Sequence, residues 1–227
     1  MRGLDVETTS LNPDERDLRL VQVGDENRVR VMDAFFLSGD TIKEAIDGGH
    51  DLVAHNATFE AAWLHAKLGL APTLDDTMIM SQVYYTGTKA AKRSNFGHSL
   101  AAVVKRELKR ELAKDEQVSD WGAAALTREQ IKYAALDAAV LPQLAATLMR
   151  KIERAGLTRV YELERRVSHA VDAMERRGVA IHVDQLDEMT EEATERAERL
   201  KAEWKMNPGS SKQLIEHFGL EGRKGWP

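Results

Sequence analysis

Gly3-Leu4-Asp5-Val6-Glu7-Thr8-Thr9-Ser10-Leu11 decides how the rest of the chain is read. Leu4 and Val6 alternate with Asp5 and Glu7, the period of a strand with one buried face. Residues i and i+2 of a strand share a face, so the two carboxylates stand side by side. Such neighbours raise each other's pKa unless a cation lies between them. Thr8-Thr9-Ser10 follows as a polar turn, which puts the acids at a strand's end, where sites form. An exposed acidic strand would show the same pair, so its meaning depends on the surrounding chain.

Leu18 to Val23 and Val29 to Met32 read as two more strands joined through Gly24-Asp25-Glu26-Asn27, an antiparallel meander. A short helix is predicted over 41–47, a buried strand from Asp51 to His55 and a helix from Phe59 to Leu68. Beyond residue 77 the chain reads as mostly helical. Thr127 with Gln130 forms a capping-box pattern and opens a helix that runs to about Ile152. After Gly156 a second helix carries Leu163, Val167, Val171 and Met174 on one stripe, and Gly178 closes it. Val179-Ala180-Ile181 is extended, and Asp184 is placed to cap a helix bearing Leu186, Met189, Ala193, Ala197, Leu200 and Trp204. The natural division lies near Gly156: an α/β domain over 1–155 and a helical segment over 156–227.

The 227 residues are 43% apolar and 30% charged, which is ordinary for a globular protein. With no cysteine there is neither a disulfide nor a thiolate ligand. No run approaches a membrane span, and the acid at position 5 comes too early for a signal peptide. A cytoplasmic protein is expected. The net charge of −5 argues against a protein that coats nucleic acid, but not against an enzyme holding a few nucleotides. Basic residues gather at Lys89, Lys92 and Arg93 and at Lys105, Arg106, Lys109 and Arg110, the second group reading as a solvated helix face.

Two further segments carry acids. In His55-Asn56-Ala57-Thr58-Phe59-Glu60 a buried strand ends at a polar pair, and Glu60 falls on the first turn of a helix, whose dipole favours its charge. Asn56 is placed to cap that helix. In Tyr133-Ala134-Ala135-Leu136-Asp137 the phenol and the carboxylate share a helix face at i and i+4. The alanines around them allow close packing against a sheet.

Taken in this order, the three segments resemble the 3′→5′ exonucleases of ribonuclease H-like fold, of the four-carboxylate, tyrosine-bearing type. Asp5 and Glu7 match the first motif, Asn56 to Glu60 the second, Tyr133 and Asp137 the third. Ser119-Asp120-Trp121-Gly122, Leu126 to Gln130, Asp76-Thr77 and the helix start at Ser99-Leu100 are also typical, and the likeness covers roughly residues 3–150. The histidine subtype would need His where Lys132 stands. Glu60 departs from the usual Asp: it keeps the charge and adds a methylene, which bears on rate and metal preference.

The resemblance implies an α/β fold with a mixed central sheet flanked by helices, and a site of two divalent cations, Mg²⁺ or Mn²⁺. Asp5, Glu7 and Asp137 would hold one ion; Asp5, with Glu60 through water, would hold the other. Tyr133 would orient the attacking water. Thr8, Leu11 and Asn56 would hold the terminal nucleotide, with Leu11 wedged against a base. The implied substrate is a single-stranded or frayed DNA 3′ end, with a ribonuclease D-like RNA exonuclease and a catalytically weak scaffold module as the alternatives.

Leu163 to Arg166, Met174 to Val179 and Asn207 to Leu214 resemble the segment that follows the exonuclease domain in family A DNA polymerases, the base of the thumb. This implies a polymerase domain as partner, in the same or a separate chain, in a bacterial or phage-infected cell. Neither palm carboxylates nor a finger helix follow, so no polymerisation is expected from these residues alone.

Overall fold

A computed structural model describes residues 1–47, 51–92, 96–112, 119–207 and 209–219; Arg93 and Pro208 lie outside them. Five strands form one sheet: β1 (Arg2–Thr8), β2 (Leu18–Gly24), β3 (Val29–Asp33), β4 (Leu52–Ala54) and β5 (Leu74–Asp76), in the order β3-β2-β1-β4-β5. The expected meander is present, since β1–β2 and β2–β3 are antiparallel. β4 and β5 extend it in parallel, so the sheet is mixed. Helices α1 (Gly39–Ile46) and α2 (Ala57–Leu68) follow β3 and β4, and α3 (Thr77–Tyr85), α4 (Leu100–Leu108), α5 (Arg128–Arg154) and α6 (Thr158–Arg177) follow β5.

β5 is absent from the sequence reading. Leu74-Asp75-Asp76 has no apolar alternation, and it becomes a strand only by pairing with Leu52–Ala54. The capping box at Thr127 and Gln130 forms as expected. Asn56 corrects an expectation: it occupies the N-cap position of α2 with φ +71°, yet its side chain makes no capping bond. The carboxylate of Asp76 does that work, accepting from Asn56 N (3.1 Å) and Ala57 N (2.9 Å) as well as from Met78 N (2.7 Å) in α3.

One core layer joins Leu4, Val6, Val21 and Val23 of the sheet to Ile42, Trp63 and Leu64 of α1 and α2. The other joins Val53 to Met80, Val103, Leu141, Leu144 and Leu148 of α3, α4 and α5. Gly3 lets α5 approach β1: a Cβ there would lie 1.9 Å from the Ala138 carbonyl oxygen. Ala134 and Ala138 are fully buried on the same face of α5, as their small size anticipates.

The chain divides into two compact units, Met1–Arg177 and Gly178–Pro227, so α6 belongs with the sheet. α6 is fixed by Tyr161, whose hydroxyl donates to Asp75 (3.1 Å), and by His169, whose Nε2 donates to the Leu74 carbonyl (3.0 Å). Its stripe of Leu163, Val167, Val171 and Met174 is exposed. The second unit contains α7 (Val183–Trp204) and α8 (Ser211–His217). The N-cap of α7 is His182, not Asp184, which lies in the first turn. Among the described residues no helix is long and apolar enough to cross a membrane.

Candidate active site

The three predicted segments converge at one end of the sheet. Asp5 and Glu7 lie on β1, paired with Gln22 and Leu20 of β2. Glu60 enters from the first turn of α2, and Tyr133 and Asp137 descend from α5. Leu20 packs with Trp121, Ala134 and Tyr133, which places α5 over the face that carries the two strand acids.

Electrostatics show how closely these groups share the site. Burial, then the charge of Asp137, holds Asp5 well above the ordinary carboxylate range. Burial pushes Glu7 up to about 10, with Asp5 and Asp137 adding to the effect. Glu60 is raised by burial and by Asp5, Asp76 and Glu7. Burial lifts Asp137 to about 6, while the hydrogen bond from Tyr133 restrains it. Tyr133 itself is raised, by burial and then by Asp137, so it is a phenol that donates and not a base.

Glu60 is 3% and Asp137 8% exposed. Glu60 Oε2 finds no hydrogen-bond partner in the structure. Buried anions ordinarily have a cationic or metal partner, and here Asp5, Glu7 and Glu60 are each raised further by neighbouring acids. Oxygen donors of this kind suit hard divalent cations. Among the described residues, no three acidic or imidazole side chains converge to direct metal-ligating geometry.

The predicted nucleotide contacts flank the acids. The Thr8 hydroxyl donates to the Ser10 carbonyl at 2.6 Å. Leu11, on the loop after β1, is 85% exposed. Asn56 is exposed at the left-handed turn that precedes α2.

The supporting roles of several residues were not legible in the sequence. Asp76 ties the starts of α2 and α3 to one carboxylate, as described above. The ring of His55 bridges Thr77 Oγ1 (2.8 Å) and the His98 carbonyl (2.8 Å). Arg19, fully buried, joins Asp33 (3.1 Å) to the carbonyl of Ala123 (2.5 Å), and so holds the loop whose Trp121 packs near Tyr133. A polar residue inside an otherwise apolar strand was the available signal for Arg19 and Gln22. Arg106 is likewise no solvated-face residue: it donates to Ser81 Oγ (2.8 Å) and the Gly97 carbonyl (3.0 Å), and stacks over Tyr85 and Phe96.

A mixed sheet in this order, with acids from β1, α2 and α5 at one end, defines a ribonuclease H-like nuclease. Brucella melitensis NrnC shares the fold at 27% identity and a TM-score of 0.66, over 77% of this chain and 84% of that one. Structures of that protein include one with bound Mg²⁺ and one bound to pGG. Escherichia coli RNase D, 22% identical with a TM-score of 0.59 over 77% of this chain and 44% of its own, shares the fold. The pattern of the 3′-5′ exonuclease family of family A DNA polymerases matches residues 3–153, and the chain belongs to that family. DNA polymerase I of Aquifex aeolicus (strain VF5) is 36% identical over 142 residues, 62% of this chain. The match spans 22% of that polymerase's length.

Proposed function

We propose that the chain removes nucleotides from DNA 3′ ends by metal-dependent hydrolysis, as proofreading exonucleases do. The observation that carries this reading is the convergence of Asp5, Glu7, Glu60 and Asp137, four carboxyl groups all shifted upward, beside a tyrosine. Asp5, Glu7 and Asp137 would hold one divalent ion, Mg²⁺ or Mn²⁺, and Asp5, with Glu60 through water, a second. When bound, the ions supply Lewis-acid activation of water and charge neutralisation at the phosphate. The donor set fits them: it is all hard oxygen, negatively charged, and includes the unpartnered Glu60 Oε2. Tyr133 keeps its proton, so it positions the attacking water without deprotonating it. Thr8 and Asn56 would hold the terminal nucleotide, and Leu11 offers an apolar edge to a base, a contact tolerant of sequence.

DNA is favoured as substrate by the polymerase relative and by the likeness of residues 156–227 to the base of a polymerase thumb. That likeness also points to a polymerase domain as partner, in the same or a separate chain. A second reading, a ribonuclease D-like RNA exonuclease, draws on the fold shared with Escherichia coli RNase D. Degradation of 3′-labelled single-stranded DNA against RNA of matching sequence separates them. Faster loss of label from DNA is expected; much faster cutting of RNA overturns the substrate assignment.

A further inference from the structure

Gln22 is fully buried in β2, a strand in which every residue is buried. Neither Nε2 nor Oε1 of its amide finds a hydrogen-bond partner. Buried amides are nearly always paired, and an unpaired one destabilises the fold that contains it. The β1–β2 register sets Gln22 directly opposite Asp5. Directly opposed residues of an antiparallel pair project from the same face with Cβ atoms roughly 4.5–5.5 Å apart. Leu20, two residues earlier in β2, packs under Ala134 and Tyr133, so this face is the one beneath α5. The amide therefore lies beside the strand carboxylate at the centre of the acid cluster, without a partner of its own.

We propose that Gln22 is a positioning residue for Asp5: when Asp5 is ionised against a divalent cation, Gln22 Nε2–H donates to its carboxylate and fixes the oxygen turned toward the cation. This rests on the metal-dependent reading above. Outer hydrogen bonds of this kind orient metal-holding side chains, and their loss typically weakens metal affinity about 10- to 100-fold. The amide has no role in the metal-free core, and its cost to that core is consistent with a function that appears only on loading.

The test uses the full chain as wild type, Gln22→Met, Gln22→Asn and Asp5→Ala. Mn²⁺ affinity is read by electron paramagnetic resonance of the free ion, and thermal melts are taken in chelator. Met is close to Gln in volume and carries no amide; Asn keeps the amide one methylene short. Expected are Mn²⁺ binding weakened about tenfold or more in both Gln22 variants, and a Gln22→Met melt in chelator at or above wild type. Unchanged affinity in Gln22→Met overturns the proposal, as does a variant that melts below wild type or fails to fold, because the amide is then serving the metal-free core. If wild type binds no Mn²⁺, or Asp5→Ala binds it as well as wild type does, the metal site itself is wrong and the role of Gln22 falls with it. Tight binding lost in Asp5→Ala but kept in Gln22→Met leaves the metal site standing and removes Gln22 alone.

Discussion

Two groups of buried charge in this fold differ in their balance of sign. Near α3 and α4 the enclosed Glu107 carboxylate meets Arg106 (3.2 Å), Lys151 (2.5 Å) and the hydroxyl of Tyr85 (2.7 Å). At the end of β1, burial raises Asp5, Glu7, Glu60 and Asp137, and for the first three the neighbouring charges that add to the rise are acids. The first group brings opposite charges into contact and serves stability. The second is held in place by packing, through Gly3 under Ala138, Asp76 at the start of α2 and the alanine face of α5, despite its own repulsion. Charges that a fold retains against its stability mark where a ligand of opposite charge belongs.

The largest expected effect on stability lies in the balanced group. Glu107→Ala leaves Arg106 and Lys151 without their carboxylate, and breaking such a pair should destabilise the protein by about 3 kcal/mol. Chemical denaturation measures this; a change within error would mean that the group contributes nothing and that the contrast is empty.

The acid group should respond to pH in the opposite sense from an ordinary salt bridge. Asp137 and Glu7 rise from ordinary values of 3.8 and 4.5 to about 6 and about 10 on folding. Through that window the folded state binds more protons than the unfolded state, so these groups favour folding at acid pH and lose that contribution as pH climbs. Melts in chelator should show this contribution as a fall in stability from about pH 5 to about pH 8. Added Mn²⁺ should restore more stability at the higher pH, since its ligands must be deprotonated. Stability that rises with pH in chelator would break the account of the cluster.

The smallest effect is expected at Glu60, where the sequence resemblance would place an Asp. Glu60→Asp should cut DNA at least as fast as wild type and up to about tenfold faster, a barrier change of at most about 1.4 kcal/mol. Single-turnover kinetics measure it, and a large loss would show that the site has adapted its geometry to the longer side chain.

Much of this was legible in the chain, for reasons that can be named. Leu4-Asp5-Val6-Glu7 displays a strand and its acids in one alternation, and the capping box at Thr127 with Gln130 marks the start of the helix that carries Tyr133 and Asp137. What stayed hidden depends on contacts distant in sequence. Leu74-Asp75-Asp76 becomes a strand only beside Leu52–Ala54. Asn56 looks like a helix cap, yet the bond comes from Asp76, twenty residues on. Gln22 reads as a polar interruption in an apolar strand until the register sets it against Asp5. The stripe of α6 looks like a core face, while Tyr161, Arg165 and His169 make the attachment.

The central claim is that the unbalanced acids form a metal-dependent exonuclease site, and Asp5 is its common member. Wild type and Asp5→Ala should be compared on 3′-labelled single-stranded DNA with Mn²⁺ and with chelator. The account predicts label release by wild type that chelator abolishes. It predicts a rate for Asp5→Ala lower on the order of a thousandfold or more, about 4 kcal/mol of lost transition-state stabilisation. Release that survives in Asp5→Ala would contradict it.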